Sequence, residues 1–282
     1  MKTCVLSLQR CNDRLDEWIN HYLNLGFSHI FIIDNNNIEN KIPNTKYENV
    51  TIIPYNNVSF KEHSFWAQNV SYGYAYIYIG YLQFDYMFVC DSDEYLILKK
   101  HNNINDFIQE EIIDKGYDWL SIYWNIYDDN DIIYLKDEKD TLINTYTRQQ
   151  SVSKPYDYRA NECSWTKIIV KCKPELVIGN GSHTILERLI NTAYGPEHVL
   201  DPNIAVLNHY RTRCLEYYIS TKVKELYFSI ATDWYCTDAL EGYALFNQIT
   251  PYKLEKFFEL YKQYLGKEYP NKEEMIIKYS KS

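Results

Sequence analysis

Asp91-Ser92-Asp93-Glu94 places three carboxylates within four residues. They follow Tyr86-Met87-Phe88-Val89-Cys90, an apolar run of strand character, and precede Tyr95-Leu96-Ile97-Leu98, which is also apolar. Carboxylates crowded at the end of a buried strand repel one another and lose hydration. A divalent cation relieves both, and hard oxygens of this kind suit Mg²⁺ or Mn²⁺ with a diphosphate completing the shell. D-x-D alone is a weak motif, and on these four residues only, a turn in which Asp91 or Ser92 caps the backbone is the stronger reading. The elements around them decide between the two.

Cys4-Val5-Leu6-Ser7-Leu8 predicts a first strand, and Asn12 or Asp13 can cap the helix that follows. Leu15, Trp18, Ile19, Tyr22 and Leu25 fall on one face of that helix, with Gly26 at its left-handed stop. Ile30-Phe31-Ile32-Ile33, ending at Asp34, predicts a second strand, and Val50-Thr51-Ile52-Ile53-Pro54 a third. A helix over Ser64 to Leu82 would bury Trp66, Val70, Tyr74, Ile77 and Tyr81. The acidic cluster therefore ends a strand in a β-α-β-β-α-β series. Open α/β sheets bind ligands at the carboxyl ends of their strands, which favours the metal reading over the turn.

Beyond the cluster the spacing predicts a helix over Ile104 to Lys115, closed by Gly116, then strands at Trp119–Trp124, Lys167–Lys171 and Ala205–Leu207. Asp128-Asp129-Asn130-Asp131 reads as a solvated loop. Gly179-Asn180-Gly181-Ser182-His183 reads as a turn that lets backbone approach a ligand closely. Two helices close the chain. One carries Leu215, Ile219, Val223, Leu226 and Ile230. The other, from Tyr252, carries Leu254, Phe257, Phe258, Tyr261 and Leu265 opposite a polar face of Lys253, Glu255, Lys256, Glu259 and Lys262. The expected organisation is an α/β domain over residues 1–213 with a helical C-terminal portion, 214–282, packed on it.

A net charge of −9 argues against a nucleic-acid partner. No apolar run is long enough to span a bilayer, and the first residues are too short for a signal peptide. Seven cysteines with no C-x-x-C pair fit a reducing, cytoplasmic setting rather than a zinc or disulfide scaffold. Mixed charge on the last helix favours packing over membrane attachment, with peripheral contact as the alternative.

Several segments form an ordered set: Asp13-Arg14-Leu15-Asp16-Glu17-Trp18-Ile19, Leu25-Gly26-Phe27, Ile33-Asp34-Asn35, Asp91-Ser92-Asp93-Glu94-Tyr95, Lys167-Ile168-Ile169-Val170 and Asn208-His209-Tyr210. In order and spacing it resembles the family 92 and related family-2-like glycosyltransferases of the GT-A fold, from Val5 to about Lys224. The chain departs from that pattern at His21-Tyr22, at Asn36-Asn37 and at Trp124-Asn125-Ile126-Tyr127-Asp128, the last on the acceptor side.

The resemblance implies a mainly parallel Rossmann-like sheet and a metal-dependent, inverting hexosyltransferase. The donor would be a nucleotide sugar, foremost a UDP-sugar such as UDP-galactose, and the acceptor a glycan, glycoprotein or lipid-linked glycan. It implies donor contacts at Leu8, Gln9, Arg10, Asp34, Asn35, Asp91 and Ser92, with Arg211, Arg213 or Lys222 as cations near the diphosphate. It implies metal ligation by Asp91, Asp93 and His209, with His183 in competition, and imidazole suits Mn²⁺ better than Mg²⁺. A base for the acceptor hydroxyl is sought among Asp128, Asp129, Asp131 and Glu162, with Glu94 as a supporting or acceptor-contacting carboxylate. The alternative is a catalytically degenerate protein that holds a sugar or nucleotide. A dehalogenase-like phosphatase is disfavoured because its D-x-D follows the first strand, and a nucleotidyltransferase because Gln9-Arg10-Cys11-Asn12 contains no glycine.

Overall fold

The computed structural model describes residues 1–9, 13–35, 42, 46–54, 72, 73, 75, 77, 84–138, 140–150, 166–173, 176–179, 184–187, 198–227 and 238–279. They divide into two compact units, Met1–Asn125 with Ser153–His209, and Ile126–Val152 with Tyr210–Ser282.

The first unit is built on strands β1 (Thr3–Gln9), β2 (His29–Asp34), β3 (Val50–Pro54), β4 (Tyr86–Val89), β5 (Glu94–Leu98), β6 (Trp119–Ile126), β7 (Thr166–Lys171) and β10 (Ala205–His209), with β8 (Leu176–Gly179) and β9 (Thr184–Glu187) pairing separately. The eight-stranded sheet runs β3-β2-β1-β4-β7-β6-β10-β5. The expected α/β architecture with C-terminal helices is the one this chain adopts. β3, β2, β1 and β4 pair in parallel. β7 is antiparallel to β4 and β6, and β10 to β5. The parallel strands β1, β2 and β4 are continuous apolar runs buried on both faces, whereas β3, at the sheet edge, leaves Thr51 and Pro54 exposed. Cys4, Leu6, Met87, Val89, Ile168 and Val170 point to one face, where Tyr72 and Ala75 pack against them.

The helix Leu15–Asn24 buries Trp18, Ile19 and Tyr22 at the expected spacing, and Gly26 (φ +91°) closes it in the left-handed region. Its start differs from expectation. Arg14 is the N-cap and makes no side-chain cap, while Asn12 lies outside the described residues. Most of the helix expected over 64–82 also lies outside them. Tyr72, Gly73 and Ala75 within it are helical. Tyr72 and Ala75, three residues apart, are buried, whereas Ile77 is 49% exposed rather than inward as expected. The Ile104–Ile108 helix continues as a π-helical turn over Gln109–Ile113, and Gly116 (φ +72°) follows it.

In the second unit, Thr250 caps the helix Pro251–Leu265 by accepting from the Lys253 N–H at 3.2 Å, and Gly266 (φ +70°) ends it. Leu254, Phe257, Phe258 and Tyr261 join Leu215, Ile219, Val223, Leu240 and Tyr243 in one apolar cluster, so this helix packs as its pattern predicted. Ile230 and the side chain of Leu226 lie outside the described residues. Two further helices, Ala239–Ala244 and Lys272–Tyr279, are too short to stand out by periodicity. Among the described residues no helix is long and apolar enough to cross a membrane.

Candidate active site

The register of the parallel strands sets one edge of the sheet. Gln9 pairs with Asp34, and Leu6 pairs with Val89, so the carboxyl ends of β1, β2 and β4 open on the same side. Leu8, Gln9, Asp34, Asn35, Asp91 and Ser92 all lie there. Asp34 is buried and accepts from the Ile42 N–H at 2.8 Å. The Asn35 N–H donates to the Gln9 carbonyl at 2.9 Å. Among the described residues, Gln9 Oε1 and Asn35 Nδ2 are buried polar atoms without a hydrogen-bond partner.

The acidic cluster turns between β4 and β5. The Asp91 N–H donates to Glu94 Oε2 at 2.8 Å, and the Glu94 N–H to the Asp91 carbonyl at 3.2 Å. Trp18 Nε1 and Tyr22 OH donate to the Glu94 carbonyl at 3.1 and 3.0 Å, so the first helix anchors the turn from beneath. Tyr72 OH accepts from the Leu8 N–H at 3.0 Å and donates to Asp91 Oδ1 at 3.3 Å, linking the ends of β1 and β4. Lys167 Nζ stands 2.8 Å from Asp91 Oδ2 and 3.8 Å from Glu94 Oε1.

Glu94 is fully buried, and burial, with Asp91 and Asp93 adding repulsion against the pull of Lys167, pushes its carboxyl well above the usual range. Burial works against the Lys167 ammonium, but Asp91 and Glu94 more than offset it and raise its pKa.

β10 runs antiparallel to β5 and brings His209 opposite Glu94. Its Nε2 lies 3.5 Å from Asp93 Oδ1, and both residues are buried. Two ligands bonded at about 2.1 Å to one ion stand roughly 3.0–3.5 Å apart, so Asp93 and His209 fit a shared divalent cation. Trp124 packs against the His209 ring with centroids 4.5 Å apart, and Lys167 Nζ is 5.8 Å from the Trp124 centroid. Asp91 is two residues from Asp93, and its carboxylate is engaged by Lys167 and Tyr72.

Among the described residues, the trio with potential metal-ligating atoms all within 4.8 Å of one another is elsewhere, at His101, Glu110 and Glu111. It is a possible acidic metal site, with no metal identified. It follows the far end of β5, roughly 15 Å of strand away from Glu94. Glu111 there is already bonded to Lys115.

The second unit holds the loop Asp128-Asp129-Asn130-Asp131. It is not the solvated turn expected from its composition, because Asp128 and Asp129 are buried. Arg148 donates to Asp128 Oδ2 at 2.6 Å and to Asp131 Oδ2 at 2.7 Å. Lys253 Nζ lies 2.7 Å from both Asp129 and Asp131, and Tyr243 OH bonds to Asp129. Lys253, expected on the polar face of its helix, is therefore buried. Burial raises the Asp129 carboxyl against Lys253 and Tyr243, while hydrogen bonds from Arg148 and Lys253 hold Asp131 down at about 2. Arg211 packs its guanidinium 5.2 Å from the Phe246 ring centroid, Arg213 is bound to Glu138 at 2.7 Å, and Lys222 is half-buried in the π-helical segment Tyr218–Tyr227. Arg10, Glu162 and His183 lie outside the described residues, as does the turn 180–183.

Sequence reasoning missed Lys167 and Tyr72 as partners of Asp91. A lysine within the apolar strand Lys167-Ile168-Ile169-Val170 was the available signal for the first. Tyr72 gave no signal distinguishable from its neighbouring tyrosines.

The family model described as Glycosyltransferase family 92 matches residues 3–241. No match is found among curated proteins. The matched span takes in the whole strand edge and His209, and the chain belongs to glycosyltransferase family 92, a transferase family.

Proposed function

We propose that this family 92 chain transfers a hexose from a nucleotide sugar, a UDP-sugar such as UDP-galactose, to a glycan or glycoprotein acceptor with the help of a divalent cation. The observation that carries the reading is the approach of Asp93 Oδ1 to His209 Nε2, 3.5 Å apart beside the carboxyl ends of the parallel strands. The oxygen and imidazole donors of that pair favour Mn²⁺ over Mg²⁺. When bound, the cation neutralises charge developing on the departing diphosphate.

The residues of the chain supply the rest. Asp34, at the end of β2 and held by Ile42, is placed to meet the nucleoside. Gln9 Oε1 and Asn35 Nδ2 offer an acceptor and a donor at the same edge. Asp91 is held in a fixed orientation from two sides and meets the ribose. Buried Glu94 braces the turn through the Asp91 N–H and is not itself open to an acceptor. An inverting transfer needs a base to take the proton of the acceptor hydroxyl. Asp131, held at about 2, is too weak a base, and Asp129 is enclosed by Lys253 and Tyr243. Asp128 is buried, with Arg148 on one carboxylate oxygen and the Asn130 N–H on the other, so we assign the Asp128–Asp131 loop a structural role and leave the base outside it.

A panel of nucleotide sugars screened for Mn²⁺-dependent release of nucleotide tests the reading. Release from a UDP-hexose that requires Mn²⁺ and rises with a glycan acceptor supports it. UDP binding without turnover of any donor would favour the degenerate sugar- or nucleotide-binding protein.

A further inference from the structure

We propose that Lys167 is a positioning residue, a built-in counter-cation that commits Asp91 and so makes metal binding at the strand edge depend on the nucleotide. The inference rests on the metal-dependent reading above and extends it to a residue with no ligand-binding role in that reading.

β7 is antiparallel to β4, with Ile169 opposite Phe88. Lys167 lies two residues before Ile169, so its side chain starts beside the end of β4, where the acidic cluster begins. That side chain is 1% exposed. A buried ammonium has to be matched by carboxylates, and Asp91 Oδ2 at 2.8 Å and Glu94 Oε1 at 3.8 Å match it. The Trp124 ring lies within cation–π reach at 5.8 Å. Asp91 is held on its other oxygen by Tyr72 OH at 3.3 Å, and Glu94 Oε2 is taken by the Asp91 N–H at 2.8 Å.

The consequence is a division of labour among three carboxylates. Asp91 and Glu94 answer to the lysine, and Asp93 together with His209, 3.5 Å apart, faces the exchangeable cation. Two protein ligands alone hold a bare divalent ion weakly. A diphosphate adds the missing oxygens and negative charge, so ion and nucleotide bind together. Removing the lysine releases Asp91 from its ion pair to act as a third ligand, which should strengthen binding of the bare ion by about tenfold or more.

Free Mn²⁺ is measured by electron paramagnetic resonance during titration of the full chain, with and without UDP, alongside thermal melting. Wild-type protein is expected to bind Mn²⁺ about tenfold or more tighter with UDP than without. Lys167→Met is expected to narrow that gap to about threefold or less by raising the affinity for Mn²⁺ alone. Lys167→Arg, which keeps the charge, is expected to restore the wild-type gap, which a purely structural lysine would not predict. Should Lys167→Met not fold, Lys167→Met combined with Glu94→Gln removes one charge of each sign and still releases Asp91, and it should show the same narrowing. A folded neutral variant with the wild-type gap would overturn this inference alone. Wild-type protein that binds Mn²⁺ neither alone nor with UDP would overturn the metal-dependent reading and this inference with it.

Discussion

Lys253, in the first turn of the helix Pro251–Leu265, places its Nζ 2.7 Å from Oδ1 of Asp129, and solvent reaches almost none of either side chain. A buried ion pair is a weak source of net stability, but breaking one strands the surviving charge. Lys253→Met should therefore destabilise the protein by about 3–5 kcal/mol, read as a fall in the urea midpoint. Asp129→Asn should lower the midpoint as well. If Asp129 were the base, Asp129→Asn would instead remove activity and leave the midpoint alone.

Asp131 gives the same network a pH signature. Its carboxyl is held at about 2 by hydrogen bonds from Arg148 and Lys253, below the usual 3.8. The unfolded chain then takes up the proton first as pH falls, so this contribution is complete above about pH 4 and is lost on the way down to about 2. Asp131→Asn should remove that part of the acid dependence, measured by urea unfolding across pH 2–5. An unchanged profile would show that the two cations do not hold Asp131 in solution.

The C-terminal helix is held by its apolar side. Phe257 is buried in the cluster with Tyr243 and Tyr261. Phe257→Ala should cost about 3–5 kcal/mol. Truncation before Tyr252 should lower the melting temperature markedly. A truncated chain that melts like the full one but no longer sediments with anionic vesicles would make this helix a membrane contact instead.

Much of the strand edge was legible because its signals are local. The apolar runs ending at Leu8, Ile33 and Cys90 mark parallel strands, and such strands place their carboxyl ends together. His209 ends the short strand β10, but its approach to Asp93 depends on β10 pairing antiparallel with β5, which no local pattern specifies. Lys167 was hidden for a related reason. Alternation in a strand says which residues share a face, not which charge waits on the neighbouring strand. The Asp128–Asp131 loop misled through its composition. Four polar residues in a row read as solvated, whereas the distant Arg148, Tyr243 and Lys253 make the burial of Asp128 and Asp129 tolerable. Lys253 itself sits where helical periodicity assigns a polar face, and Asp129 draws it inward.

Calorimetric titration of UDP in the presence of Mn²⁺ decides whether Asp93 and His209 hold a cation that the nucleotide diphosphate shares. Wild-type protein should bind UDP only when Mn²⁺ is present. Asp93→Asn should lose that Mn²⁺-dependent binding by about a hundredfold, a loss of about 2.7 kcal/mol, with an unchanged melting temperature. His209→Ala should weaken it by about tenfold, and more than His183→Ala does. Asp93→Asn protein that binds UDP with wild-type affinity at the same Mn²⁺ concentration would mean that Asp93 holds no such cation.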